Sequence, residues 1–129
     1  MKLLLDTHAL VWWLTNSPKL SNTAREQVAA RQNTVFVSAA SAWEIATKAR
    51  IGRWPEAAAL VALFPGVIEA NGMEPLAITV RHANHAGSLA VAHADPFDRM
   101  LAAQAELEGM TLVTIDTAFA AFDISVLWY

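Results

Sequence analysis

Short apolar runs alternate with longer helical stretches along the whole chain, and this alternation restricts the fold more than any other feature of the sequence. The runs that predict strands lie at residues 2–5, 34–37, 74–78, 111–115 and 125–127. Strands that alternate with helices form βαβ units, and such units build a mainly parallel sheet. The pattern therefore predicts an α/β domain.

Capping and chain-breaking residues set the bounds of the helices between these strands. Ser21 is a good N-cap, Pro55 suits a first helical turn, and Gly52 and Gly109 end the helices before them. The predicted helices cover residues 7–14, 21–31, 39–50, 55–64, 79–89, 95–107 and 118–122.

Composition limits the class of protein. The chain has 129 residues, 55% hydrophobic and 16% charged, which suits one packed domain over residues 1–129. It has no cysteine, so disulfides and thiolate zinc sites are excluded and a cytoplasmic location is expected. The start reaches Asp6 too soon for a signal peptide, and the longest apolar run, residues 57–64, is too short to span a membrane.

Acidic residues follow the predicted strands. Asp6 comes directly after the first strand, Asp116 after the strand at 111–115, and Glu44 about two turns into the helix behind the second strand. Asp95 and Asp98 begin a helix that leads into the strand at 111–115, so the start of that helix lies beside the carboxyl end of the sheet. In open α/β sheets ligands bind at this edge, so we expect these acids to gather there.

Clustered carboxylates repel one another, and a cation offsets that repulsion. Oxygen donors without cysteine favour a hard ion, Mg²⁺ or Mn²⁺, and Mg²⁺ keeps sites free for phosphate oxygens. A metal ion of this kind activates water and stabilises a leaving oxygen, which suits phosphodiester hydrolysis. Whether one or two ions act stays open at this point.

Each acid also has a purely structural interpretation. Asp95 is a plausible N-cap before Pro96, Ser41 and Glu44 have the spacing of a capping box, and Asp116 could cap the helix after it. Asp6, at the end of a buried strand, is the acid that such an interpretation explains least well.

Histidine and tryptophan side chains carry weaker expectations. His8 could line the site, although a polar residue at a helix start explains it equally. The other three histidines, His82, His85 and His93, lack metal-ligand spacing and are expected at the surface or behind the site residues. The tryptophans at positions 12, 13 and 43 are expected in the core or in a dimer interface.

The net charge of −3 gives no overall basic field, so a nucleic acid would have to be held locally. Lys48, Arg50 and Arg53, with Trp54 beside them, form the densest basic patch. They are explained either as a solvated helix end or as contacts to an RNA backbone.

Four segments resemble the motifs of PIN-domain toxins, the toxin halves of VapBC toxin–antitoxin pairs. They are LLDTHAL at 4–10, SAASAWEI at 38–45, HADPFDRMLAAQA at 93–105 and LVTID at 112–116. The third segment is the most specific, and the four occur in the expected order over essentially the whole chain.

This resemblance implies a three-layer α/β/α sandwich with Asp6, Glu44, Asp98 and Asp116 as the metal-site acids. Asp6 and Asp98 match the positions that hold the ion most directly, and the role of Asp95 stays open. The resemblance further implies Mg²⁺-dependent endonucleolytic cleavage of RNA, a homodimer, and inhibition by a cognate antitoxin protein.

Two other classes of function remain as alternatives. One is a Mg²⁺-binding phosphotransfer or phosphatase-type signalling domain. A dehalogenase-type phosphatase needs a second Asp where His8 stands, and a receiver needs a Lys that is missing near Asp116. The other is an oligomerising interaction module in which the acids only cap helices.

Overall fold

A five-stranded sheet, parallel throughout, forms the centre of the computed structural model, which describes residues 1–129. The strands are β1 (Lys2–Leu5), β2 (Thr34–Ser38), β3 (Glu74–Leu76), β4 (Thr111–Val113) and β5 (Val126–Leu127). Their order across the sheet is β3-β2-β1-β4-β5. The strand order therefore reverses beside β1, between β1 and β4, which is where open α/β sheets bind ligands.

Seven α-helices connect and cover the strands. They are α1 (Thr7–Leu14), α2 (Asn22–Ala29), α3 (Ala39–Arg50), α4 (Pro55–Ala58), α5 (Gly66–Ala70), α6 (Val80–Ser88) and α7 (Pro96–Glu108). Short 3-10 helices cover Val61–Leu63 and Thr117–Ala121. None of the helices combines the length and the apolar character that crossing a lipid bilayer requires.

Successive residues of β1 point to opposite faces of the sheet and enter two separate cores. Leu3 and Leu5 belong to a core shared with α1, α2 and α3, whereas Leu4 belongs to one shared with α7 and the chain around Phe119. All three leucines are buried, and each contributes roughly 1.5–3 kcal/mol to folding. Helices on both faces of the sheet confirm the predicted three-layer α/β/α sandwich.

The prediction of one helix over residues 55–64 was wrong. The chain forms α4 and then a 3-10 turn, with backbone hydrogen bonds from Leu60 to Ala57 and from Leu63 to Leu60. Ala57 and Leu60 are both buried. The helix cannot run to Phe64, because this residue precedes Pro65 and proline disfavours helical geometry in the residue before it; Phe64 is extended. Helix α5, which was not predicted, begins at Gly66.

The register of β1 and β4 determines which residues meet at the carboxyl edge. Leu5 lies opposite Val113, and the Asp6 N–H donates to the Val113 carbonyl at 3.1 Å. The next residues of the two strands, Asp6 and Thr114, therefore leave the sheet side by side. Both are buried.

Candidate metal centre

Asp6 occupies the point where β1 passes into α1. Its carboxylate is the N-cap of α1 and accepts a hydrogen bond from the Ala9 N–H at 2.7 Å. The residue is only 5% exposed, and no lysine, arginine or histidine forms an ion pair with it. Folding thus places a carboxylate in a buried position without a cationic partner.

Burial raises the pKa of Asp6 to about 6, because the charged form loses its hydration. Hydrogen bonds from the Thr114 hydroxyl and the Ala9 N–H act in the opposite direction. The negative charges of Asp98 and Glu44 raise the pKa further. Three of the four predicted site acids therefore lie close enough to influence one another.

Glu44 lies in the second turn of α3 and is 4% exposed. Its Oε2 accepts a hydrogen bond from Lys48 Nζ, one turn further along the same helix. The start of α3 is fixed against α1 by a buried hydrogen bond of 3.1 Å between the Ser41 and Thr7 hydroxyls. This contact sets the position of Glu44 relative to Asp6.

Asp98 lies in the first turn of α7, whose N-cap is Asp95. The Asp95 carboxylate accepts hydrogen bonds from the N–H groups of Phe97, at 2.8 Å, and Asp98, at 3.1 Å. Burial raises the pKa of Asp98. A hydrogen bond from His93 opposes this change, while the charges of Asp95 and Glu44 reinforce it.

Asp116 stands slightly apart from the other acids. It is exposed and caps the 3-10 helix at Thr117–Ala121 by accepting a hydrogen bond from the Ala118 N–H at 2.9 Å. The His8 ring links it to the rest of the site, because the charges of Glu44 and Asp116 both raise the pKa of His8. Desolvation is the larger effect on His8 and leaves its pKa lowered.

The donor set suits a hard divalent ion, although no group of three or more acidic or histidine side chains is close enough to hold a metal by itself. Mg²⁺ commonly uses only one or two protein carboxylates and keeps several waters. Asp6 lacks a counterion, and Oδ1 of Asp98 accepts no hydrogen bond. These two groups fit such an ion by their chemistry.

A family model of the PIN domain matches residues 3–124, nearly the whole chain. The chain belongs to the PIN domain family. PIN domains are nucleases and generally use a divalent metal ion. A comparison with curated protein sequences finds no match.

Solved structures show the same fold at low sequence identity. A chain of VapBC2 from Rickettsia felis, bound to a DNA fragment from its promoter, matches over 100% of both chains with a TM-score of 0.71 and 17% identity. A chain of VapBC-1 from nontypeable Haemophilus influenzae covers 98% of this chain and 97% of its own, with a TM-score of 0.69 and 19% identity. A chain of VapBC-5 from Mycobacterium tuberculosis, a member of the VapBC family of toxin–antitoxin systems, covers 99% of this chain and 98% of its own, with a TM-score of 0.64 and 15% identity.

The predicted basic patch of this PIN domain divides into two parts. Lys48 pairs with Glu44, and its ammonium also lies 5.5 Å from the centre of the Trp54 ring. The Trp54 ring in turn packs against His8, with centroids 4.6 Å apart. Arg50 and Arg53 are exposed and form no ion pair.

For two side chains the structure excludes one of the two expected positions, the surface for His82 and the core for Trp43. His82, expected at the surface or behind the site, is 2% exposed. Its side chain and that of Thr79 form the capping box of α6, and its Nε2 lies 3.0 Å from Oε1 of Glu108. Trp43, expected in the core or in an interface, is 58% exposed and packs edge-on against Phe97. The core interpretation of Trp43 is therefore excluded.

Sequence reasoning did not single out Thr114 or Arg99, and it expected His93 either at the surface or behind the site residues. Thr114 lies beside Asp6, and its hydroxyl also accepts a hydrogen bond from the Asp116 N–H at 3.0 Å. His93 contacts Asp98, and Arg99 holds the loop before α7. Thr114 could have been found from its place two residues before Asp116, once β1 and β4 were taken as neighbours.

Proposed function

We propose that this PIN domain, comprising residues 1–129, is a cytoplasmic metal-dependent endoribonuclease that hydrolyses RNA phosphodiester bonds. The observation that carries the proposal is the buried Asp6 carboxylate, which has no cationic partner and lies near Glu44 and Asp98. Three acids around one point of the carboxyl edge destabilise the metal-free fold, and a Mg²⁺ or Mn²⁺ ion offsets that repulsion.

Asp6 and Asp98 are proposed as the residues that hold the ion. Lys48 must first release the carboxylate of Glu44. Glu44 would then either share the metal ion or orient the attacking water. Asp116, exposed at the rim beside His8, completes the acidic pocket. When bound, the metal ion supplies an activated water and stabilises the charge on the leaving oxygen.

Lys48, Arg50 and Arg53 are proposed as RNA backbone contacts. Arg50 and Arg53 are free of ion pairs, so both guanidinium groups are available to phosphate oxygens. Lys48 contributes less in the metal-free state, because its ammonium is bound to Glu44.

We further propose that the enzyme is the toxin of a toxin–antitoxin pair and forms a homodimer. The resemblance of four ordered motifs to VapBC toxins supports this, together with the shared fold of the VapBC chains. A cognate antitoxin would inhibit the nuclease by inserting a basic side chain among the acids, where its charge replaces that of the metal.

The test is cleavage of end-labelled RNA by the purified protein with Mg²⁺ or Mn²⁺, with and without EDTA. We expect EDTA-sensitive internal cleavage that falls by at least about 100-fold in Asp98→Asn, since the variant loses a metal ligand. Asp123→Asn, an exposed acid outside the site, serves as the control and should cleave normally.

Equal cleavage by Asp98→Asn and wild type would contradict the proposal, as would cleavage that EDTA leaves unchanged. A phosphorylated aspartate formed from a phosphodonor, without RNA cleavage, would support the signalling alternative.

A further inference from the structure

The loop between α6 and α7 is held by one side chain. Arg99 donates from Nε to the carbonyl of Ala86 at 2.9 Å and from Nη2 to that of Leu89 at 2.6 Å. Its Nη1 donates to the carbonyls of Val91, at 2.7 Å, and His93, at 3.0 Å. One carbonyl near the end of α6 and three in the irregular segment after it are thus fixed to the first turn of α7.

Arginine is the side chain that this arrangement requires. The guanidinium carries five N–H donors in a rigid plane, whereas a lysine ammonium places three donors on one atom and cannot reach four separated carbonyls. Arg99 forms no ion pair with any carboxylate. A cation in the first turn of a helix is also unfavourable to the helix dipole, so the benefit of Arg99 comes from the loop that it holds.

The His93 ring is fixed from several directions. Phe119 stacks on it with centroids 6.3 Å apart, and Phe122 meets it edge-on at 5.6 Å. The backbone carbonyl of His93 is one of the four held by Arg99. With its ring and its backbone both held, His93 directs Nε2 to Oδ2 of Asp98 at 2.8 Å.

This hydrogen bond differentiates the two oxygens of Asp98. When the Asp98 carboxylate is ionised it can only accept hydrogen bonds, and Nε2 of His93 then carries the proton and donates it. Oδ2 is engaged with the ring, while Oδ1 accepts no hydrogen bond. Rotation of the carboxylate about its own bond would break the contact with His93.

We infer that His93 and Arg99 are positioning residues, which together orient Oδ1 of Asp98 toward the metal ion. The inference rests on the proposed function, because it assumes that Asp98 is a metal ligand. Hydrogen-bonding partners of metal-binding carboxylates and imidazoles characteristically tune metal affinity in this way.

The chain offers a matched control for His93. His85 lies 3.0 Å from Oε2 of Glu106 through its Nε2, so it forms a histidine–carboxylate pair of the same kind outside the proposed site. For Arg99 the control is Arg25, whose guanidinium donates to the Ser17 carbonyl at 2.8 Å and to the Asn16 side chain at 3.1 Å.

The experiment is calorimetric titration of Mn²⁺ into the full chain, well below the melting temperature of every variant. We expect His93→Leu to bind Mn²⁺ about 10–100-fold more weakly than wild type. His93→Gln, whose amide can donate from a position near that of Nε2, should recover most of the affinity. His85→Leu should match wild type.

Arg99→Lys should weaken Mn²⁺ binding in the same direction, with faster amide hydrogen exchange in the loop before α7. Arg25→Lys should change neither the Mn²⁺ affinity nor the amide hydrogen exchange of this loop. The recovery by His93→Gln separates positioning from a general loss of structure, and it remains informative if Arg99→Lys fails to fold.

Unchanged Mn²⁺ affinity in His93→Leu, with clear binding by wild type, would overturn this inference and leave the proposed function intact. Equal weakening in His93→Gln and His93→Leu would also overturn it, because the donated hydrogen bond would then have no role. No Mn²⁺ binding by wild type would overturn the proposed metal centre, and the inference with it.

Discussion

Asp6 is a carboxylate that folding removes from water without giving it a positive partner. Its folded-state pKa of about 6 lies above the ordinary value of 3.8, so the native chain holds this proton more tightly than the unfolded chain does. Between these two values the native state binds more protons at Asp6, so the contribution of Asp6 to the free energy of unfolding falls as the pH rises.

Replacing Asp6 with Asn should remove this pH dependence while keeping the helix cap, because the amide oxygen can still accept from Ala9. In metal-free protein, the stability advantage of Asp6→Asn over wild type should grow by up to about 3 kcal/mol as the pH rises from about 4 to 7. Urea unfolding at a series of pH values measures it. Asp123→Asn should show no such trend, and an Asp6→Asn curve parallel to wild type would contradict the account.

Residues whose position follows from their place on an element could be predicted from sequence. Asp6 ends a strand, and Asp98 begins a helix, so the topology alone brings them to one edge. The role of Arg99 could not be predicted, because three of its four acceptors depend on the path of an irregular loop. Thr114 needed the pairing of β1 with β4, which local pattern does not reveal.

At the scale of elements, the segment after α3 returns to the site. Trp54 contacts both Lys48 and His8, and its neighbour Arg53 is exposed. Cations near the end of α3 also complement the helix dipole, so their presence alone does not imply RNA binding. The salt dependence of RNA affinity distinguishes RNA backbone contacts from a solvated helix end.

Replacing Arg50 and Arg53 together with Ala should weaken binding of many RNA sequences alike. If each arginine neutralises one phosphate, the slope of log affinity against log salt should become shallower by about 0.7 for each phosphate that is no longer neutralised. Lys19 and Arg81, also exposed, provide a control with the same change in charge. The measurement is RNA affinity over a salt series for both double variants. If the Arg50/Arg53 variant and the Lys19/Arg81 control give equal slopes, the patch is a solvated helix end.

Elements with strong caps were predicted closely, whereas weakly marked ones were not. α1 and β1 have the predicted bounds, and Ser21 caps α2 as expected. The chain at 55–64 differs because alanine-rich sequence favours a helix, whereas Phe64 precedes Pro65 and is extended, so a helix cannot run to that residue. Ser41, a candidate cap, lies inside α3, and Ser38 caps that helix instead.

For the whole molecule, the strand order β3-β2-β1-β4-β5 explains why the acids converge. Asp6 and Asp116 follow the two strands that flank the reversal of winding, and α3 and α7 bring Glu44 and Asp98 to the same edge. The alternation of apolar runs predicted the class of fold. It did not predict the strand order, which results from how the helices fill both faces of the sheet.

Trp43 is exposed on α3 and packs on the half-buried Phe97 of α7, and the proposed homodimer should use this apolar surface. Trp43→Ser should then shift sedimentation velocity from dimer toward monomer, because aromatic anchors carry much of the energy of an interface. Val80→Ser serves as the control, since Val80 is the most exposed of the chain's valines. If Trp43→Ser sediments as wild type does, the dimer forms through another surface.

The location of a bound metal tests the central claim most directly. Crystals grown with Mn²⁺ and measured for anomalous scattering should show a peak between the carboxylates of Asp6 and Asp98, with Oδ1 of Asp98 as a ligand. The same measurement on Asp6→Asn should show the peak lost or much weaker. A Mn²⁺ peak elsewhere on the chain, or none at this edge in a preparation that cleaves RNA, would contradict the account.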